Sequence, residues 1–384
     1  MQHATPAPTR QRIVFVINSL EGGGAERVLS ILLTHLAEPF QNQDVFLILL
    51  DKGIVRYPVP GYIKRIDLDC RGSMFRSIVS LRSALQQISP HTVLSFLNRA
   101  NCANILAARS LDYRCIISER VNTSTHFGSS LSARVNKAII RKLYPMADKV
   151  LAVSKGVAAE LQQNFSISPD RLDVIYNPYD LDRLAALAAQ PSTLHVDGPY
   201  IVSIGRLVPN KNFPLLIHAY HQANPAEKLV ILGEGPEHGK IQALIAELNL
   251  QDRVILAGFQ ENPYPVMRNA CCAVFSSSAE GFPNALAEAM ALSLPVIATD
   301  CESGPAEILH DVIRVHPDGP FKANYGVLVP VNNIHAMTQA LFLLKDQPLL
   351  THYSNRSLQR VRDFSIERAV SHYINALNSS QKHT

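Results

Sequence analysis

The chain has 384 residues, 47% of them hydrophobic and 18% charged, and a formal net charge of +4 at pH 7. Its length is about twice that of a typical domain and its composition excludes a long disordered region, so two domains with separate cores are expected. The charge is too small and too dispersed to argue for nucleic acid as a partner. No run approaches the roughly 18 apolar residues of a membrane span, and the opening MQHATPAPTRQR lacks the apolar centre of a signal peptide. A soluble, cytoplasmic protein is expected. The six cysteines (Cys70, Cys102, Cys115, Cys271, Cys272, Cys301) form no CxxC pair and read as reduced thiols. Residues 1–190 carry 22 Lys+Arg against 15 Asp+Glu, and residues 191–384 carry 14 against 17, so the first half is the candidate for an anionic surface.

In chain order, the β-branched run Ile13 to Asn18 precedes the glycines Gly22, Gly23 and Gly24 and then AERVLSILLTHLAE, apolar at helical spacing. Strand-like runs follow at Asp44–Leu50, Thr92–Leu97, Cys115–Glu119, Lys149–Ser154 and Leu172–Asn177, with helical segments between most of them. The segment AALAAQPSTLHVDGP reads as a linker, and the pattern restarts at Tyr200–Gly205, Leu229–Gly233, Arg253–Gly258, Cys272–Ser276, Pro295–Thr299 and Gly326–Val329. Alternating strands and helices imply two doubly wound parallel sheets. The expected division is 1–190, 191–350 and a helical tail, 351–384, packing back toward the first domain. Ligand sites of such sheets lie at the C-terminal strand ends, here in a cleft between facing domains.

Residues that can carry chemistry lie just beyond strands. Arg206 and Lys211, in GRLVPNKNF, suit a bound diphosphate, because Arg offers a planar fork and Lys a mobile point charge; two solvated cations are the plainer reading. In SSSAEGFPNALAEAMALSLPVIATD, Glu280 falls in a loop shaped by Gly281 and Pro283, and Glu288 falls on the first turns of a helix that Asn284 can cap. The N–H groups from Gly281 to Leu286 make an anion- and hydroxyl-binding helix end. Phe282, Pro283, Asn284 and Ala285 line the same turn.

These segments, with SGPAEIL and SLEGGGAERV, resemble the retaining family-4 glycosyltransferases of the GT-B fold, with their E-x7-E motif, over nearly the whole chain. The resemblance implies two Rossmann-like domains and transfer of a hexose or N-acetylhexosamine from a nucleotide sugar, UDP-linked, to a glycan or lipid-linked glycan in cell-surface polysaccharide or lipopolysaccharide assembly. It implies Glu280 on the transferred sugar, Glu288 on the ribose, Arg206 and Lys211 on the diphosphate, Gly23 and Gly24 closing over the donor, and backbone around Phe259 near the base. Many members carry a histidine near residue 119; here ISERVN has Glu119 and Arg120, like bacterial polysaccharide-assembly enzymes, and His126 lies too far along the loop to replace it. Glu119 is a candidate on the acceptor side, its plainer reading a strand-end carboxylate paired with Arg120 or Arg99. Asn98 and Asn101 are further acceptor candidates.

No metal and no cofactor are expected beyond the donor as co-substrate. Asp67-Leu68-Asp69 has no other carboxylates near it, and Asp180-Leu181-Asp182 reads as a helix cap. The segment Ser130 to Lys149 puts Leu131, Val135, Ala138, Ile139 and Leu143 on one stripe among Arg134, Lys137, Arg141 and Lys142, which suits either a core-facing helix or peripheral contact with an anionic membrane. A UDP-sugar epimerase on the same scaffold is the alternative activity, and a partner subunit with a degenerate site is a third reading that the intact Arg206, Lys211, Glu280 and Glu288 oppose.

Overall fold

The computed structural model describes residues 10–124, 131–192 and 194–378, apart from the side chains of Leu131 and Ser132. His126 lies outside the described residues. The chain forms two compact units: residues 1–153, 157–178 and 366–384, and residues 154–156 with 179–365.

The first unit is built on a seven-stranded, all-parallel sheet ordered β3-β2-β1-β4-β5-β6-β7. Its strands are β1 (Arg12–Ile17), β2 (Asp44–Leu49), β3 (Lys64–Asp67), β4 (Thr92–Phe96), β5 (Arg114–Glu119), β6 (Lys149–Ala152) and β7 (Leu172–Val174). The central strands β1, β4 and β5 are apolar runs because helices cover both sheet faces. The crossovers are α1 (Gly24–His35), α2 (Met74–Ile88), α3 (Asn98–Ala108), α4 (Leu131–Leu143) and α5 (Lys155–Phe165). Charged KRID at β3 gives no apolar run, which is why this edge strand escapes a reading by hydrophobic pattern.

The second unit repeats the architecture: β10-β9-β8-β11-β12-β14-β13, parallel except for β13. Its strands are β8 (Tyr200–Ile204), β9 (Lys228–Leu232), β10 (Val254–Leu256), β11 (Cys272–Phe275), β12 (Val296–Thr299), β13 (Phe321–Lys322) and β14 (Val327–Val329). Its helices are α6 (Leu181–Ala188), α7 (Phe213–Ala223), α8 (His238–Glu247), α9 (Tyr264–Arg268), α10 (Asn284–Ala291), α11 (Pro305–His310), α12 (Ile334–Leu341) and α13 (Gln347–Val361); α14 (Ile366–Asn378) returns to the first unit.

The division expected at residues 190 and 350 is corrected at both ends. α6 belongs to the second unit, where it packs on α9 and α10 and where Leu187 O accepts from Asn262 Nδ2 at 2.9 Å. The Pro- and Ser-containing stretch after it is a surface loop, and the chain changes unit at Pro178. Within the tail, α13 stays with the second unit through Ser354 and Ser357, which donate to Ser293 O and Leu294 O at 2.7 and 3.0 Å. Arg360 there donates to the Ile308 carbonyl at 3.0 Å and to that of Glu307, a cation on the C-terminal end of α11. Only α14 joins the first core, through Ala369, Tyr373, Ala376 and Leu377. Arg114 from β5 fixes it by donating to Ala376 O at 2.6 Å.

Helix α4 turns its expected stripe outward. Ala133 and Ile140 are buried, whereas Val135, Ala138 and Ile139 are exposed beside Arg134, Arg141 and Lys142, so the core is served by the opposite face. Leu131 has no described side chain.

One glycine is dictated by a close approach. Gly233 follows β9 with φ +140°, and no Cβ there clears the carbonyl oxygen of Gly205 at the end of β8. Gly233→Ala is therefore expected to lower the stability of the second unit by at least about 2 kcal/mol, read as a lower denaturation midpoint; an unchanged midpoint would contradict this packing.

Candidate active site

Two segments at the C-terminal ends of neighbouring strands are laced together in the second unit. After β8, residues 209–211 make one tight turn; after β11, residues 276–280 run alongside it. Ser278 N donates to Asn210 O at 2.8 Å, Asn210 Nδ2 to Ala279 O at 3.2 Å, and Ser276 Oγ to Lys211 O at 2.9 Å. The aliphatic stem of Lys211 lies over Gly205, and its ammonium group ends in an ion pair with Glu280 Oε1. Ser277 Oγ donates to the same oxygen at 2.7 Å, and Ser303 Oγ to the Glu280 carbonyl at 3.1 Å. The Glu280 carboxylate is thus held from one side by two donors on Oε1, and among the described residues Oε2 has no hydrogen-bond partner. Among the expected residues, Lys211 and Glu280 are brought together directly.

Glu288, on α10, is 5% exposed, and no bond between it and Lys211 or Glu280 is found among the described residues. Asn284 does not cap α10: Pro283 is the N-cap and supplies no side-chain bond, while Asn284 Oδ1 accepts from Tyr179 OH at 2.8 Å. Phe282 is buried against Phe364, ring centroids 5.2 Å apart and edge-on, so this turn is fixed by packing. Gly281 and Pro283 meet Gly304 of the SGP segment, which has φ +98° and whose added Cβ would stand 2.5 Å from Pro283 Cδ. The turn from Gly281 to Ala285 is therefore rigid before any ligand arrives.

Arg206 is exposed with no ion-pair partner among the described residues, so its guanidinium is available to solvent-borne anions. Phe259, after β10, is 56% exposed, its N–H donating to Glu234 Oε1 at 3.4 Å. Gly23 is the N-cap of α1 with no side-chain cap, and Gly24 opens the helix; the carboxylate of Glu26 lies over Gly23. A wide cavity of about 670 Å³ elsewhere in the second unit is lined by Ala270, Cys271, Leu294 and Pro295. It opens at the N-terminal ends of β11 and β12, the edge opposite to Lys211 and Glu280.

Glu119, at the end of β5, is 1% exposed and pairs with neither Arg120 nor Arg99. Arg120 turns to Asn177 and to Tyr373 OH, at 3.2 Å from the latter, and Arg99 pairs with Asp51. Glu119 instead accepts from Tyr144 OH at 2.7 Å and from the N–H groups of Arg120 and Val121 at 3.0 and 3.4 Å. Asn98 and Asn101 donate to the same phenol oxygen at 3.2 and 3.3 Å. The acceptor candidates Glu119 and Asn98 therefore share one buried network. Burial pushes the Glu119 carboxyl up to about 7, with Glu160 adding to the rise and the hydrogen bonds opposing it.

Sequence reasoning passed over Ser277, Ser303 and Asn210, which orient Glu280 and Lys211. Serines and asparagines in a loop carry no pattern that separates these roles from ordinary turn chemistry. Asp180 does cap α6, accepting from Arg183 N at 2.9 Å, while Asp67 and Asp69 pair with Arg65 and Arg71.

Two Rossmann-like units, each built on a seven-stranded doubly wound sheet, are the architecture of the GT-B class. A family model for glycosyl transferases group 1 matches residues 188–360, and one for glycosyltransferase family 4 matches residues 22–183. The N-acetylgalactosamine-N,N'-diacetylbacillosaminyl-diphospho-undecaprenol 4-alpha-N-acetylgalactosaminyltransferase of Campylobacter jejuni is 35% identical over 92% of this chain and 96% of its own. The lipopolysaccharide 1,6-galactosyltransferase of Escherichia coli K12 is 26% identical over 79% and 84%. Among solved structures, Anabaena HepE with UDP superposes with a TM-score of 0.74 at 17% identity over 96% of this chain and 99% of that one. The outer core galactosyltransferase WaaB, in its apo form, gives 0.70 at 21% over 97% and 100%. The chain belongs to the family-4 glycosyltransferases and is a glycosyltransferase. The relatives named here are transferases, and the epimerase alternative finds no support among them.

Ser277→Ala removes a hydrogen bond to a carboxylate, worth about 1.5–3 kcal/mol, and should lower Tm by several degrees and, at temperatures where the variant is folded, kcat/KM by about tenfold or more; unchanged kcat/KM counts against its role. For Glu119, the folded pKa of about 7 exceeds the ordinary 4.5, so the folded state keeps a proton that the unfolded chain releases and stability falls as pH rises through that window. Glu119→Gln should flatten this dependence, gaining on the order of 1–3 kcal/mol relative to the parent between about pH 4.5 and pH 8. Denaturant midpoints at the two ends of that range measure it, and a difference independent of pH contradicts it.

Proposed function

We propose that this enzyme transfers an N-acetylhexosamine or hexose from a UDP-sugar to a lipid-diphosphate-linked glycan, with retention of configuration and without a metal ion. The observation that carries the reading is the Lys211–Glu280 pair, a cation and a carboxylate fixed side by side at the ends of β8 and β11. The acceptor class rests on the Campylobacter relative, which acts on an undecaprenol-diphosphate glycan, and the donor base on the UDP held by HepE. Work in bacterial surface-glycan assembly, beside an anionic membrane, follows from that acceptor class.

Breaking the sugar–phosphate bond places growing negative charge on the leaving diphosphate. Lys211 and exposed Arg206 supply the compensating positive charge, and the N–H groups opening α10 add partial charge of the same sign. Glu280, with Oε1 occupied by Lys211 and Ser277, accepts a sugar hydroxyl at Oε2 and so orients the anomeric carbon. Glu288 takes the ribose hydroxyls, Phe259 lies by the base, and Gly23 and Gly24 approach the donor phosphates. Glu119 and Asn98 support the acceptor side through Tyr144.

A panel of nucleotide sugars tested for thermal stabilisation identifies the donor, since a ligand at 100 times its Kd adds roughly 2.7 kcal/mol; no stabilisation by any UDP-sugar overturns the donor assignment. Lys211→Ala should cost on the order of 100- to 1,000-fold in kcat, as should Glu280→Gln, while wild-type turnover survives excess EDTA. Loss of turnover in EDTA that Mg²⁺ or Mn²⁺ restores would sink the metal-free reading. Proton NMR of the first product should show an α-anomer, and a β-anomer excludes retention.

A further inference from the structure

The first unit carries an apolar and basic rim that the chemistry above leaves unused. The segment after β2 and the segment between β3 and α2 are zipped together: Leu68 N donates to Leu49 O at 2.8 Å, Cys70 N to Leu50 O at 2.9 Å, and Gly72 N to Asp51 Oδ1 at 2.9 Å. From these joined segments project Ile54, 70% exposed, Phe75, 76% exposed, and exposed Val55 and Met74, with Val79 one helical turn beyond Phe75. The core face of α2 is elsewhere, at Ser77, Leu81 and Leu85, so the fold has no use for an aromatic ring at position 75. Lys52, Arg56, Arg71 and Arg76, all exposed, are carried by the same segments, with the Arg56 side chain lying beside Gly22. The acids of the same segments are Asp51, engaged by Arg99, and Asp69, paired with Arg71.

We infer that this rim, from Lys52 to Arg56 and from Arg71 to Val79, is a docking surface for an anionic lipid bilayer, with Phe75 and Ile54 entering the acyl boundary and the flanking cations meeting the headgroups. The inference rests on the lipid-linked acceptor proposed above. Exposed apolar side chains on segments that also carry exposed cations match a surface that is apolar within and anionic at its rim. A second copy of this chain matches it less well, because a two-fold contact sets Lys52, Arg56, Arg71 and Arg76 against their own images. The rim also lies at the C-terminal ends of β2 and β3, the edge of a doubly wound sheet where ligands bind. Docking there keeps a substrate's lipid in the bilayer while its glycan reaches the strand ends.

Flotation of the full chain with mixed phosphatidylglycerol and phosphatidylcholine vesicles tests this. Ile54→Ser with Phe75→Ser should weaken vesicle binding by about tenfold or more, since two apolar side chains leave the acyl boundary. Arg71→Gln with Arg76→Gln should weaken binding to phosphatidylglycerol vesicles and reduce its dependence on salt. Both double variants should keep wild-type stabilisation by nucleotide sugars and wild-type turnover of a short-chain, water-soluble acceptor, which separates docking from catalysis. Wild-type vesicle binding by the Ile54/Phe75 variant overturns the inference. So does loss of self-association, measured by sedimentation, with vesicle binding intact, which would assign the rim to a second copy. If no UDP-sugar binds the wild-type chain while the rim variants still lose vesicles, the donor assignment proposed above fails and the docking surface stands.

Discussion

The candidate site of the second unit depends on one lacing of two loops. Lys211 and Glu280 lie 69 residues apart in sequence, and nothing local forces them together. β8 and β11 are neighbours in the sheet, which sets their C-terminal ends side by side, and the Asn210–Ser278 and Lys211–Ser276 bonds then lock the loops. An ammonium and a carboxylate largely removed from water gain from each other only when both are held, and the serines and the asparagine supply bonds that hold them. The same lacing faces a turn made rigid by Gly304 packing on Pro283 and by Phe282 on Phe364.

The first unit solves a similar problem with an uncharged partner. A carboxylate at the end of a buried strand has little water, and Glu119 is stabilised by a phenol and two backbone N–H groups instead of a guanidinium. Tyr144 comes from the turn after α4 and Asn98 from the start of α3, so the network ties two crossovers to the strand between them. Its polar members sit largely under the surface, at the C-terminal end of β5. Helix α14 adds a second constraint on the same strand, since Arg114 and Arg120 bond it at either end of β5.

Much of this was legible in the order of residues along the chain. Apolar runs at β1, β4 and β5 and again at β8, β9 and β11 announce buried parallel strands, and Arg206, Lys211 and Glu280 fall in segments that follow strand ends, the edge where a doubly wound sheet gathers its loops, with Glu288 on the helix beyond. The fold class, the two-unit plan and the family followed from these local patterns. Tertiary structure alone decided which unit owns α6 and α13, since a helix's apolar face does not say which core receives it. It decided that Asn284 bonds Tyr179 and leaves α10 uncapped, and that Glu119 meets Tyr144 and not Arg120. It also decided that α4 turns Val135 and Ile139 outward, because Ile140 and Ala133 fill the space available beneath the helix. In each case the deciding contact joins residues far apart in the chain, and only the packed fold brings such partners within reach of a hydrogen bond.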